Sequence, residues 1–380
     1  MKKQAERSSP KARTIARLQP GSAVGIIGSG QLGRMLALTT ARLGLRAHIY
    51  AEEAASPASE VAARATEGSY LDLTQLEQFA ATVDVITYEF ENVPIAAVRH
   101  LEKIKPVYPP PRALEIAQDR LFEKQFIQNL GIAVAPFETV SNEAELAAAM
   151  QRLGTPAILK TRWLGYDGKG QVTITPATAP LEAYQAVAGA PAILEGFVRF
   201  EREISVILAR GVDPSDMHSL TEVIYDIPVN THKDGILQRS SVPAPITAET
   251  KCEAEDIARR IAHALDYVGV LAVELFDTGA GGGGLIVNEI APRVHNSGHW
   301  TMDACHTDQF ENHIRAIAGW PLGNSQRHAN VEMTNLIGQD VEQWLSLLTQ
   351  PDIVVHLYGK NKTMPGRKMG HVNKLNKFLG

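Results

Sequence analysis

Residues 23–28 form a short apolar run, and over 31–45 the apolar positions recur at helical spacing. A second apolar run, 46–50, ends at Glu52. Residues 73–82 read as a helix and 83–88 as a third strand. Alternation of short strands with helices predicts a parallel, doubly wound sheet. The proline-rich segment 105–111 breaks this pattern and is read as the close of a first domain.

A helix is expected from Asp119 to about Leu130. Short strands then dominate, at 157–161, 171–174, 192–194, 203–209 and 222–225. A helix over 248–265 precedes two apolar runs, 270–276 and 285–287, and the glycine-rich segment 279–284 joins them. That spacing suits a hairpin, in which antiparallel pairing would bring Glu274 and Glu289 to one face. The class is therefore α/β, with α+β character in the central part. No internal repeat is found.

A chain of 380 residues predicts two or three domains. Its apolar content of 44% and charged content of 21% are ordinary for a globular protein. A net charge of -5 gives no basic field for nucleic acid. Cys252 and Cys305 lie far apart without metal spacing, so both are expected to be buried, reduced thiols. No apolar run approaches the roughly 20 residues that span a bilayer. The basic, serine-containing start lacks the apolar segment of a secretory signal, so a disordered tail over 1–22 and a cytoplasmic location are expected.

The densest chemistry lies at 288–299, where Asn288, Glu289, Arg293, His295, Asn296, Ser297 and His299 follow a buried strand. Burying such groups unpaired is costly, so a ligand is expected. Glu274 and Glu289 suit Mg²⁺, which is commonly held by one or two carboxylates plus substrate phosphates. A buried ion pair with Arg293 is the competing reading. His295 and His299 are four residues apart, but Pro292 and Gly298 argue against a long helix and hence against a helical zinc pair. They are read as anion- or substrate-binding groups.

Two glycine-rich turns add to this. The first, at 28–33, fits G-x-G-x-x-G between a strand and a helix, with Glu52 where a dinucleotide fold places its ribose acid. Its helix N-terminus would attract an anion; a tight turn without a ligand is the alternative. The second, at 165–171, lies between strands with Lys169 at its tip, and such loops wrap phosphates with backbone N–H groups. Lys160 ends the preceding strand and is placed to reach a phosphate. Segment 88–92, with Glu89, Glu91 and Asn92, follows the third strand and faces the same crevice or solvent. Glu195 opens a segment, 195–198, suited to an adenine edge, and Glu203 suits ribose hydroxyls. Lys360, Arg367 and Lys368 form a basic turn between glycines near the C-terminus.

In this order the segments resemble the ATP-grasp superfamily and, within it, the N5-carboxyaminoimidazole ribonucleotide synthetase family, over 24–371. The motifs that carry the resemblance are GQLGRM at 30–35, YEFENVP at 88–94, GYDGKGQ at 165–171, NEIAPRVHNSGHW at 288–300 and GRKMGH at 366–371. It implies an N-terminal Rossmann-like domain over 23–118, an ATP-grasp domain over 119–310 with a lid around 155–200, and a small C-terminal domain over 311–380 that completes the substrate site. It implies ATP- and bicarbonate-dependent carboxylation of 5-aminoimidazole ribonucleotide through carboxyphosphate, in purine biosynthesis, with Mg²⁺ or Mn²⁺ and a homodimer.

By the family pattern, Arg120, Lys160, Gly165, Tyr166, Asp167, Gly168, Lys169, Gly170, Gln171, Glu195, Gly196, Phe197, Val198, Glu203, His232, Asn288 and Glu289 would hold ATP. Glu274 and Glu289 would bind the metal. Arg293, His295, Asn296, Ser297 and Lys360 would hold bicarbonate and carboxyphosphate as the catalytic set. Gly30, Gln31, Leu32, Glu91, Asn92, Tyr166, Lys360 and Arg367 would contact the ribonucleotide. Ser29 stands where the family often has Gly, 279–284 is an insertion, and no mutase-like domain follows, so the fused bifunctional form is not expected. The rival readings are a formate-dependent glycinamide ribonucleotide transformylase, a biotin carboxylase, a nicotinamide oxidoreductase and a non-catalytic nucleotide sensor. Ala291 replaces the Asn of the E-x-N-P-R pattern usual in biotin carboxylase.

Overall fold

A computed structural model describes residues 15–53, 55–165, 168–216, 218–279 and 281–376. Three sheets form among them. The first contains β1 (Ala23–Ile27), β2 (Arg46–Ala51), β3 (Arg64–Glu67) and β4 (Val85–Tyr88), all parallel, in the order β3-β2-β1-β4. The expected strands are present. β3 was not expected, because its Arg-Ala-Thr-Glu sequence has no buried position and pairs only at the sheet edge. The first helix, Gln31–Arg42, stops short of the expected Leu45, because Gly44 turns the chain with φ +74.

The second sheet contains β5 (Phe137–Val140), β6 (Ala157–Thr161), β7 (Gln171–Ile174) and β8 (Ala192–Gly196), antiparallel in the order β5-β8-β6-β7. Val140, Leu146, Leu159, Ile174 and Leu194 give it a core of its own. The second glycine turn is the β6–β7 hairpin loop.

The third sheet has nine strands: β9 (Arg202–Val212), β10 (Leu220–Ile224), β11 (Val229–Lys233), β12 (Ile236–Val242), β13 (Gly269–Asp277), β14 (Leu285–Ala291), β15 (Asn330–Ile337), β16 (Ile353–Leu357) and β17 (Lys368–Asn376). The order is β14-β13-β9-β11-β12-β15-β17-β16, with β10 paired to β9, and every pairing is antiparallel. Lys368, read from sequence as part of a basic turn, instead begins β17, whose positions 369–373 are buried.

Two helices cover this sheet. Ala248–Ala264 buries Ala254, Ile257, Ala258 and Ile261 with Val206, Leu208, Leu271 and Val273. Gln309–Ile317 puts Phe310 and Ile314 into a cluster that also holds Leu36, Val270 and Ala209. Each such fully buried large apolar side chain contributes about 1.5–3 kcal/mol. That shared cluster fixes the parallel sheet against the large sheet. His313 ties them again: its Nδ1 accepts from Val270 N at 3.1 Å, and its Nε2 lies 2.9 Å from Thr87 Oγ1. The C-terminal ends of β1 and β4 are thereby set beside the acids of β13 and β14. Cys305 is buried as expected; Cys252 is exposed on the helix Ala248–Ala264, and neither is in a disulfide.

Candidate active site

β13 and β14 pair as the sequence predicts, with Glu274 opposite Glu289. Leu275 then pairs with Val287, which leaves Asn288 as the extra residue of a β-bulge. Bulges re-aim side chains, and this one lets the neighbours Asn288 and Glu289 both line one cavity of about 700 Å³ together with Glu274. A third acid joins them. Glu123, on the helix Arg120–Asn129, accepts from Ile290 N at 2.7 Å through Oε1 and also lines the cavity. Burial, and then the nearby Glu289, push the Glu123 carboxyl up to about 8 and the Glu274 carboxyl up to about 7. The three carboxyls thus lie close together in a buried place where their charged forms are disfavoured unless a cation joins them. The donors are all oxygens, which suits Mg²⁺ rather than zinc. Among the described residues, no group of three or more His, Cys, Asp or Glu could itself hold a metal. Two carboxylates completed by phosphate oxygens fit that limit.

Cations line the opposite wall. Asp119 caps the helix Arg120–Asn129 by accepting from Leu121 N, and it also pairs with Arg162 at 2.5 Å. Arg120 donates to Thr161 O at 2.8 Å and Gly165 O at 3.2 Å, which braces the hairpin from below. Lys160 reaches Glu195 Oε2 at 3.0 Å, and the buried Lys124 reaches Oε1 at 3.2 Å. Burial would raise Glu195, but the two ammonium groups outweigh it and hold the carboxyl below its ordinary range. The side chain of Glu195 is therefore committed to two lysines rather than open to an adenine edge. His232 Nδ1 lies 2.5 Å from Glu203 Oε2; burial lowers its pKa, but the contact with Glu203 and the charge of Glu274 raise it overall.

The first glycine turn differs from its sequence reading. Two of its N–H groups are occupied from within: Gly30 N donates to Glu89 Oε1 at 2.5 Å and Gly33 N to Oε2 at 2.7 Å. The anion at this helix N-terminus is the protein's own buried carboxylate. Gly28 has φ +102, and a Cβ there would lie 2.5 Å from Glu89 Cγ. Glu52 lies near Ser69 Oγ and Tyr70 N and outside the cavity. The nicotinamide reading thus loses the ribose acid that suggested it, and part of its glycine turn is filled by Glu89.

Most of the expected residues do converge. Gly30, Gln31, Leu32, Glu91 and Asn92 line the cavity from the side of the parallel sheet, as do Arg120 from the helix Arg120–Asn129 and Lys160, Gly165, Gly168 and Gln171 from the second sheet and its hairpin. Glu203, His232, Glu274, Asn288, Glu289, Arg293, His295 and Asn296 line it from the large sheet. Arg293 pairs with Glu91 at 2.6 Å, not with Glu274 or Glu289. Lys169, Gly170, Glu195, Gly196, Phe197, Val198, Ser297, Lys360 and Arg367 lie outside the lining, and Tyr166 and Asp167 outside the described residues. His299 is buried behind the site, with Nδ1 3.1 Å from Gln309 Nε2, so it is not a ligand-facing group. Sequence reasoning missed Glu123, Lys124, Arg162 and the cavity position of Lys368.

Three family models match the chain in succession. They describe a ribonucleotide synthetase preATP-grasp domain over 22–118, an ATP-grasp domain over 125–310 and a phosphoribosylaminoimidazole carboxylase C-terminal domain over 332–379. The chain is 51% identical over 360 residues to the N5-carboxyaminoimidazole ribonucleotide synthase of Brucella melitensis, a match covering 94% of this chain and 97% of the relative. It is similar to the crystal structure of an ADP complex of an N5-carboxyaminoimidazole ribonucleotide synthetase, with 40% identity, TM-score 0.90, and coverage of 95% of this chain and 94% of that one. It is also similar to the N5-carboxyaminoimidazole synthase of Aspergillus clavatus in complex with ADP and 5-aminoimidazole ribonucleotide, with 28% identity, TM-score 0.86, and 94% of each chain covered.

Proposed function

The chain belongs to the N5-carboxyaminoimidazole ribonucleotide synthase family of ATP-grasp ligases, and from that membership we propose the chemistry of its cavity. It carboxylates 5-aminoimidazole ribonucleotide in purine biosynthesis, using ATP and bicarbonate. A bicarbonate oxygen attacks the γ-phosphorus of ATP, the bond to the β–γ bridging oxygen breaks, and ADP leaves. The resulting carboxyphosphate gives CO2 and phosphate. The exocyclic amine of the ribonucleotide then adds to the carbon and loses a proton.

The observation that carries this reading is the cross-strand pair Glu274–Glu289, with Asn288 bulged beside it, facing Lys160 and Arg120 across one cavity. Glu274 and Glu289 would hold Mg²⁺, or Mn²⁺, which neutralises charge on the phosphoryl oxygens when bound. Lys160, Arg120 and the 165–171 hairpin would hold the phosphates, with Tyr166, Asp167, Lys169 and Gly170 contributing from the loop. Segment 195–198, Glu203 and His232 would bind the nucleoside end of ATP. Arg293, His295, Asn296 and Ser297 would form the bicarbonate end. Gly30, Gln31, Leu32, Glu91 and Asn92, with Lys360 and Arg367, would take the ribonucleotide. Carboxyphosphate hydrolyses readily, so a hairpin that excludes water is what this chemistry needs. The domain limits expected from the sequence, a homodimer and a cytoplasmic location remain part of this reading. No described helix is long and apolar enough to cross a membrane.

The test is ADP release from Mg-ATP with bicarbonate, with and without 5-aminoimidazole ribonucleotide, alongside detection of the carboxylated product. Release that requires bicarbonate, and product that requires the ribonucleotide, are expected. ATP turnover indifferent to both would sink the reading. Replacing Arg367 by Ala should raise the KM for the ribonucleotide roughly ten- to a hundredfold by removing charge-assisted contacts, while ATP binding changes little.

A further inference from the structure

A line of buried polar groups runs from the core of the large sheet into the cavity. Ser240 Oγ on β12 donates to Asn230 Oδ1 on β11 at 2.7 Å. Asn230 Nδ2 donates to Ser205 Oγ on β9 at 3.0 Å. Ser205 Oγ donates to Ser297 Oγ at 2.7 Å, and Ser297 Oγ lies 2.9 Å from His295 Nδ1. His295 Nε2, at the far side of the ring, lies 3.1 Å from Glu274 Oε1. Ser205 and Ser240 are fully buried, and Ser297 and Asn230 nearly so.

The links share one direction, and a backbone N–H fixes it at the His295 end. An amide nitrogen can only donate, so the Asn230 Nδ2 contact makes Ser205 Oγ an acceptor there. Its own hydroxyl proton is directed to Ser297 Oγ. The Ser297 proton is left for His295 Nδ1. A second donor confirms the end of the chain, since Ser297 N also donates to Nδ1 at 3.3 Å. A nitrogen that accepts from two donors carries no proton. The proton of His295 is therefore on Nε2, facing Glu274.

We propose that Ser205, Asn230 and Ser240 are positioning residues that act through Ser297. Through a one-way hydrogen-bond chain they hold His295 as an Nε2–H donor, which clamps Oε1 of Glu274 and leaves the other oxygen of that carboxylate to the cavity. Buried polar chains of this kind orient the group at their end, and losing one link typically costs tenfold or more in function. The effect on turnover rests on the placement of the cation at Glu274 proposed above. The location of the ring proton does not.

The test uses the full chain without metal or nucleotide, with histidine nitrogens labelled with ¹⁵N, and compares the unaltered protein with Ser205→Ala, Ser297→Ala and His295→Gln. The last identifies the His295 signals by their loss. The expected spectrum has a protonated Nε2 and a hydrogen-bonded, unprotonated Nδ1. In Ser297→Ala, which removes a direct donor, the Nδ1 signal should move toward that of a free acceptor nitrogen, and in Ser205→Ala, which loosens Ser297, it should move the same way by less. With Mg-ATP, bicarbonate and the ribonucleotide, Ser205→Ala should lose about tenfold in kcat while KM for ATP stays within about twofold. Ser205→Cys, which keeps the volume but donates weakly, takes the place of Ser205→Ala if that variant does not fold. A proton on Nδ1 in the unaltered protein overturns the proposal, as does an Nδ1 signal unmoved in both serine variants. A moved signal with unchanged kcat overturns the positioning role. An unaltered protein that shows the expected spectrum but no bicarbonate-dependent turnover counts against the enzymatic reading instead.

Discussion

Two glycine-rich turns look alike in this sequence, and the molecule uses them in opposite ways. At 28–33 the glycines let backbone and carboxylate close on each other. Glu89 takes the N–H groups of Gly30 and Gly33, so the protein's own acid occupies part of the turn that a foreign anion would otherwise use. At 165–171 the glycines form a hairpin loop that crosses to a different sheet. A Cβ on Gly168 would lie 2.8 Å from Asp234 O, in the turn between β11 and β12, and Gly165 sits against the Arg120 guanidinium. Gly165, Gly168 and Gln171 line the same cavity as Glu274 and Glu289. The first turn is electrostatically complete within the protein; the second faces acids that are not. A glycine motif supplies exposed backbone donors, and whether these bind a ligand depends on what the rest of the chain brings to them.

The largest expected effect lies on the incomplete side of this comparison. Glu289→Gln keeps the shape of the bulge and removes one of the two carboxylates proposed to hold the cation. Turnover should fall on the order of 10²- to 10³-fold, the scale seen when one preorganised electrostatic contact to a transition state is removed. The fold should survive, because the amide still fits opposite Glu274. Steady-state ATP turnover and a thermal melt would measure the two sides. Near-normal turnover would end the assignment of this pair.

On the complete side the effect should be on stability. Gly28→Ala places a Cβ against Glu89 Cγ and the Phe90 ring at φ +102, where an L side chain is strained whatever the space. Strain and overpacking together should cost about 3 kcal/mol. Denaturant unfolding would show it as a lowered midpoint with an unchanged slope. An unchanged midpoint would mean that the turn opens at little cost and is not the packed feature described.

This contrast also marks what the chain discloses by pattern alone. Glu274 and Glu289 were legible because each interrupts an apolar strand, and a glycine-rich link between two such strands predicts their antiparallel pairing. Glu123 and Lys124 were not legible. Nothing in their local sequence marks them as buried, and they are covered because β14 and Glu195 pack over them. The same holds for Glu89: the 88–92 segment announced acids at a strand end, but not that one of them would turn back to fill the neighbouring glycine turn. Lys368 was hidden by the opposite error. Glycines on either side suggested a turn, whereas pairing with Ile337 on β15 draws the segment into a strand. In each case the deciding partner lies far away in the chain.

The smallest effect tests the joint that holds the two regions together. His313 is fully buried between them, accepting from Val270 N on β13 and contacting Thr87 on β4. Because Nδ1 accepts, the ring proton is on Nε2 and is donated to Thr87 Oγ1. Protonating Nδ1 would set two donors, Nδ1–H and Val270 N–H, against each other. Burial lowers the pKa of this imidazole from 6.5 to about 3. Between those values the unfolded chain binds a proton that the folded chain refuses. The stability that His313 contributes is therefore fully present above about pH 6.5 and is lost progressively as the pH falls toward 3, at up to about 1.4 kcal/mol per pH unit. His313→Gln can keep an acceptor and a donor but does not titrate, so its unfolding free energy should fall less steeply between pH 6.5 and 5. Denaturant melts of both proteins at half-unit steps would measure the difference. Parallel curves would show that acid acts elsewhere and that this joint does not depend on a neutral ring.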